Sequence, residues 1–133
     1  MAVKRFGVSL EDDLLTALDH FVKTQQFPNR SQAIRHLIKE NLVKEDWDKN
    51  KVVAGAIVLL YDHHKNDLQN QSTEIQHDYH DLILSVQHVH LDHDHCLETI
   101  TVKGKANKLI NLADKLIAIK GIKHGKLVMS ASS

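Results

Sequence analysis

Cysteine is nearly absent: Cys96 is the only one among 133 residues, which excludes an internal disulfide framework and suits a reducing compartment. An excess of charge is missing as well. Seventeen lysines and arginines face seventeen aspartates and glutamates, so no global field holds the chain on nucleic acid or on an anionic membrane. Any such binding must come from a local patch. Long apolar runs are lacking too, since the longest, Val52 to Tyr61, has ten residues against the ~20 that a membrane helix needs. With no signal-peptide pattern at the start, the expectation is a soluble, cytoplasmic protein without a membrane partner. Proline occurs once, as Pro28, and marks a break between two helical patterns. No internal repeat and no low-complexity segment is visible.

What the chain holds in excess is histidine, with eleven in 133 residues. The imidazole is the commonest metal ligand and titrates nearest neutral pH. Hydrophobic residues make up 42% of the chain, enough for the packed core of one ordinary domain or two small ones.

Two kinds of pattern divide the sequence. Near the start, Phe6, Val8 and Leu10 alternate with Arg5, Gly7 and Ser9, the period of a half-buried strand. Glu11, Asp12 and Asp13 then open a helix near its positive end, with Leu14, Leu15, Leu18, Phe21 and Val22 as its apolar stripe. After Pro28, either Asn29 or Ser31 can cap a second helix carrying Ala33, Ile34, Leu37, Ile38 and Leu42. The charged stretch Lys44 to Lys51 reads as a linker, which gives a first domain of residues 1–50. Strand, helix and helix in so short a segment bury too little to stand alone, and an unpaired strand needs a mate. A homodimer supplies both.

Residues 51–133 read differently: strand Val52 to Tyr61, helix His64 to His77, strand Leu82 to Leu91, strand Cys96 to Lys103, helix Asn107 to Ile119 and strand Ile122 to Met129. This β-α-β-β-α-β order is the ferredoxin-like arrangement, an antiparallel sheet with both helices on one face. The fold class expected is therefore α+β. The open face of such a sheet commonly packs on another subunit.

The chemistry concentrates between residues 77 and 96, where His77, His80, His88, His90, His93, His95 and Cys96 fall. His88 and His90 are two apart on a strand, so both imidazoles leave one side of the sheet. The short connection after Leu91 folds the next strand back and brings Cys96 beside them. His77, at the end of the preceding helix, is a candidate fourth ligand, to its own hairpin or to a neighbour's. Three imidazoles and a thiolate suit zinc in a tetrahedral site and nickel or copper in a planar one. His80, His93 and His95 read as solvated turn residues. No oxyanion hole or nucleophile elbow accompanies Cys96, so a cysteine nucleophile is disfavoured.

Arg5, Gly7 and Ser9 are either the wet face of an edge strand or, if two chains pair their strands, the reading face of a ribbon of the width that enters a DNA major groove. Arg30 and Ser31, following Asn29 at a helix start, offer backbone amides and a guanidinium to a phosphate; the plainer reading is a helix cap. Residues 1–50 hold eight basic and eight acidic side chains, so the DNA reading rests on geometry.

Two motifs carry a family resemblance. Arg5-Phe6-Gly7-Val8-Ser9-Leu10 with Asn29-Arg30-Ser31-Gln32-Ala33-Ile34-Arg35 resembles a ribbon-helix-helix DNA-binding domain. Gln76-His77, His88-Val89-His90 and Cys96-Leu97-Glu98 resemble the metal domain of nickel-responsive transcriptional regulators of the NikR type. The resemblance implies a planar nickel site of His88, His90 and Cys96 from one subunit and His77 from the adjacent one, with Gln76 and Glu98 supporting the ligands by hydrogen bonds. It further implies a homotetramer, a dimer of dimers, with a central ferredoxin-like core flanked by ribbon-helix-helix pairs bound to palindromic operator DNA. The chain departs from some members at Gln32 and His36, where they carry acidic residues that help hold an interdomain cation, and at Gly7, where they carry a hydroxyl. The resulting expectation is a nickel-dependent repressor with nickel as corepressor, not an enzyme, and without a small organic substrate. A zinc or copper sensor on the same fold, or a metal storage or delivery protein, is the alternative.

Overall fold

Strict alternation in the run after Lys51 decides the architecture. In the computed structural model, which describes residues 2–64 and 66–133, Val53, Gly55, Ile57, Leu59 and Tyr61 are buried on one face of strand β1 (Val52–Asp62), while their neighbours are half-buried on the other. The partner strand β3 (His95–Lys105) buries Cys96, Glu98, Ile100 and Val102 in the same way. β1 is central, pairing antiparallel with β3 on one side and with β4 (Ile122–Ser130) on the other. β2 (Ile83–His90) pairs antiparallel with β3, giving the order β2-β3-β1-β4. This is the ferredoxin-like topology anticipated from the element order.

Helices α3 (Asn66–Asp78) and α4 (Ala106–Ile117) complete the unit. Leu109, Leu112, Ala113 and Leu116 recur at helical spacing and are fully or almost fully buried, the stripe that packs α4 onto the sheet. Leu68 is the buried apolar anchor of α3. The helix expected from His64 begins at Asn66 instead, and Lys65, within that expected span, lies outside the described residues. Asp62 accepts a hydrogen bond from the His64 amide at 2.9 Å, which fits a turn there rather than a first helical residue.

The chain divides into two compact units, Met1–Asn41 and Leu42–Ser133. In the first, α1 spans Asp12–Thr24 and α2 starts at Arg30. Asn29 is the cap of α2, its side-chain oxygen accepting from the Gln32 amide at 2.9 Å; Ser31 lies inside the helix. Residues 2–10 form no sheet, and every one is exposed, Phe6 at 74%. The alternating apolar residues thus have no partner within a single chain.

The linker reading of Lys44 to Lys51 does not hold. α2 continues to Asp48. Trp47 is 4% exposed, packs in the core of the second unit and donates its indole N–H to the Ser130 carbonyl at 3.0 Å. Gly55 makes room for this ring: a Cβ there would lie 3.5 Å from the indole and 2.6 Å from the Val128 carbonyl oxygen. Among the described residues no helix is long and apolar enough to cross a membrane.

Truncating the indole removes both burial and a hydrogen bond. Trp47→Ala is expected to lower the unfolding free energy by ~3–5 kcal/mol, read as a fall in the denaturant midpoint at fixed protein concentration.

Candidate metal centre

Strand register places the candidate ligands. His90 pairs with Cys96 and His88 with Glu98 across the β2–β3 ladder, so all four side chains share the face that carries the buried residues of β3. Cys96 is fully buried, and its Sγ lies 3.5 Å from His90 Nδ1. The turn between the strands is fixed by Asp92, whose carboxylate accepts from the amides of Asp94 at 2.9 Å and His95 at 2.8 Å. Those backbone donors hold the Asp92 carboxyl below its ordinary pKa.

His88 is oriented by a buried relay. The Tyr61 hydroxyl donates to Glu98 Oε2 at 2.7 Å and lies 3.4 Å from His88 Nδ1. With the hydroxyl proton committed to Glu98, the tyrosine oxygen accepts from a protonated Nδ1, and the lone pair of His88 sits on Nε2, where a metal can take it. Burial, then the Glu98 carboxylate, pushes the Tyr61 pKa upward, so the hydroxyl remains a donor. Gln76 on α3 donates to the other oxygen, Glu98 Oε1, at 2.8 Å, and reaches Ser72 Oγ at 3.0 Å. A cavity of about 320 Å³ opens beside this relay, lined by Tyr61, Gln69, Ser72, Thr73, Val86 and His88 among others.

The expected ligands do not all meet in one chain. Among the described residues, one group whose donor atoms all lie within 4.8 Å of one another is half-buried His63, exposed His90 and buried Cys96. The His88 ring stands beside it, 5.4 Å from the His90 ring. His77 stacks on His80 at 5.9 Å and belongs to no such group. His63 escaped the sequence reading, which looked to residues 77–96. Its signal was positional: antiparallel pairing sets Tyr61 opposite Cys96, so a residue just past that strand end falls beside the thiol. His64, His93 and Asp94 form a second, fully exposed group.

In the first unit, Arg5, Gly7 and Ser9 are exposed, as are Arg30 and Ser31. The Arg30 guanidinium is held by Asp19 through two hydrogen bonds, of 2.8 and 2.9 Å, which keeps the Asp19 carboxyl below its ordinary pKa.

Imidazoles and one thiol around a buried, hydrogen-bonded shell fit a nitrogen–sulfur metal of the borderline class and disfavour calcium or magnesium. Residues 54–130 match the NikR C-terminal nickel-binding domain, and residues 4–45 match ribbon-helix-helix proteins of the copG family. The chain belongs to the nickel-responsive regulator family. A protein of Syntrophus aciditrophicus that bears the name of a nickel-responsive regulator is 51% identical over 128 residues, 96% of this chain and 93% of its own. One of Desulfovibrio desulfuricans, named likewise, is 53% identical over 121 residues, 91% and 88% of the two chains. The ACT domain of a GTP pyrophosphokinase of Chlorobium tepidum matches with a TM-score of 0.50 at 20% identity, over 59% of this chain and 100% of that one. An uncharacterized protein of Thermotoga maritima matches with a TM-score of 0.54 at 16% identity, over 59% and 98%. These two likenesses concern the fold alone. Nickel is the ion of the domain family to which residues 54–130 belong, and the family is one of regulators with a ribbon-helix-helix DNA-binding domain, not of enzymes.

Burial, reinforced by Glu98, Asp62 and Asp92, pushes the Cys96 thiol above its ordinary pKa, so it is protonated at neutral pH. A metal that takes the thiolate must expel that proton. Affinity is therefore expected to rise about tenfold per pH unit across neutrality. Calorimetric titration with nickel in buffers of different ionisation enthalpy should show about one proton released at pH 7.5 by the native chain.

Proposed function

We propose that this protein is a nickel-dependent repressor of transcription, acting in the cytoplasm as a homotetramer, with the unit Met1–Asn41 as its DNA-binding part and the unit Leu42–Ser133 as its metal-binding and tetramerisation part. The observation that carries the metal half of this reading is the strand register, which pairs His90 with Cys96 and puts His88 on the same face. We assign nickel to His88, His90, Cys96 and His77 of the partner subunit. The separation of His77 from the His90–Cys96 group within one chain favours a ligand donated between subunits. Gln76 and Glu98 act through Tyr61 and His88, holding the imidazole with Nε2 available.

The DNA half rests on residues 2–10, whose apolar side chains are uncovered in a single chain. Two such segments paired antiparallel bury Phe6, Val8 and Leu10 on one side and turn Arg5, Gly7 and Ser9 to the major groove. The backbone amides of Arg30 and Ser31, at the positive end of α2, face a phosphate. Asp19 already occupies two donors of Arg30, so a phosphate at that guanidinium takes Nη1 or displaces the carboxylate. Metal-bridged subunits set the separation of the two ribbons, and nickel shifts the population toward the separation that fits a palindromic operator, provided it binds that arrangement more tightly.

Footprinting with and without nickel tests the reading: protection of a palindrome whose half-sites lie more than one helical turn apart should require nickel, and equal protection by the metal-free protein would remove the repressor mechanism. Arg5→Ala should cost about 1–3 kcal/mol at that operator and relax base preference. Mixing His77→Ala with Cys96→Ala subunits should restore some nickel sites, because the intact ligands then meet across a subunit contact; no recovery would place all four in one chain.

A further inference from the structure

Exposed ion pairs contribute little to stability, yet Asp19 and Arg30 meet in a two-bonded geometry at the entrance to α2. Asp19 Oδ1 accepts from Arg30 Nε at 2.8 Å, and Oδ2 accepts from Nη2 at 2.9 Å. Both side chains are about half exposed. The pair joins the second half of α1 to the first residue of α2, but it is not what closes the corner between those helices. Phe21, Phe27 and His36 do that: their ring centroids lie 5.5 Å (Phe21–Phe27), 6.4 Å (Phe21–His36) and 5.2 Å (Phe27–His36) apart, and the Phe27 amide donates to the Val22 carbonyl at 2.9 Å.

The consequence of the pair falls on the guanidinium. Its planar fork has five N–H donors in fixed directions. Asp19 takes the one on Nε and one on Nη2, which leaves both on Nη1 and the second on Nη2. Two nitrogens along one edge are what a phosphate needs for a pair of parallel charge-assisted bonds. At the same helix start, Asn29 spends its side-chain oxygen on the Gln32 amide and its carbonyl on the Ala33 amide. Among the described residues, the amides of Arg30 and Ser31 have no acceptor.

We propose that Asp19 is a positioning residue for DNA binding, which holds the Arg30 guanidinium so that its Nη1–Nη2 edge grips a phosphate of the operator backbone. The inference rests on the DNA reading given above and deepens it, because it names the residue that prepares that grip. A free arginine gives up the freedom of a long side chain when it meets a phosphate, whereas one already held by a carboxylate has given it up beforehand. The opposing effect is repulsion between the Asp19 carboxylate and the phosphate, which salt screens at an exposed site. Orientation and repulsion act on DNA affinity with opposite signs, so removal of the carboxylate separates them.

Fluorescence anisotropy of the full-length chain with nickel chloride, on the duplex protected in the footprint and on a mixed-sequence duplex of equal length, over a range of salt concentrations, tests this. Asp19→Asn and Asp19→Ala each remove a negative charge, yet both should weaken binding to the two duplexes by a similar factor, roughly fivefold, because a phosphate contact is blind to sequence. The melting curve of Asp19→Asn and its nickel spectrum should match those of the native chain. Asp19→Glu, which keeps two acceptor oxygens, should bind more tightly than Asp19→Asn. Arg30→Ala should weaken both duplexes and flatten the salt dependence, and adding Asp19→Ala to it should cost nothing more, since the two residues act as one unit. Tighter binding by Asp19→Asn with a steeper salt dependence would overturn the proposal, because it would make Asp19 an inhibitory carboxylate. Unchanged binding, additive losses in the double variant, or no gain from Asp19→Glu over Asp19→Asn would overturn it too. Absence of salt-dependent binding to either duplex by the native chain is a separate result, which would remove the DNA reading itself along with this one.

Discussion

The Glu98 carboxylate is 5% exposed, and a buried charge without donors is too costly to keep. Each of its oxygens has one donor: Tyr61 from β1 on one, Gln76 from α3 on the other. This one requirement ties the central sheet to α3 and explains why a tyrosine ends the buried face of β1. It also fixes His88, whose Nδ1 lies against the same tyrosine oxygen. Removing Gln76 or Tyr61 takes its one donor from one of these buried oxygens, which is costly by itself. The metal donors stand on a frame that the chain must satisfy for electrostatic reasons before any ion arrives.

The two units differ in how far they satisfy themselves. Residues 42–133 enclose a continuous core from Trp47 to Ile119, and no buried side-chain nitrogen or oxygen among the described residues lacks a partner. Among its described residues the first unit buries only Ala33 fully. Its helix α1 has an apolar stripe and no buried residue, and Phe6, Val8, Leu37 and Ile38 are about half exposed or more. Apolar side chains in that number favour a covered state by roughly 1.5–3 kcal/mol each when fully buried.

The elements with strong period were legible from the residues. β1 and α4 fall within about two residues of their expected limits, because an unbroken apolar run of ten suits a core strand and a stripe from Leu109 to Leu116 suits one face of a helix. Lys44 to Lys51 misled for a physical reason. Its composition is that of a solvated linker, and what continues the helix is one indole that packs on residues far along the chain. His63 was passed over similarly, since its importance depends on which strand lies beside Cys96, and periodicity carries no information about strand order.

By itself the sequence determined the kind of ligand chemistry, because imidazole and thiolate side chains are a matter of composition, and it determined that His88 and His90 share a face, because strand period is local. Family membership follows from the same local motifs. Tertiary structure decided the rest: that the thiol is flanked by imidazoles from β2 and from the turn after β1, that a buried carboxylate selects the tautomer of His88, and that His77 stands apart from the His90–Cys96 group in a single chain. Each of these depends on residues brought together from separate strands and helices, and contact at that range is a property of topology and packing, not of spacing along the chain.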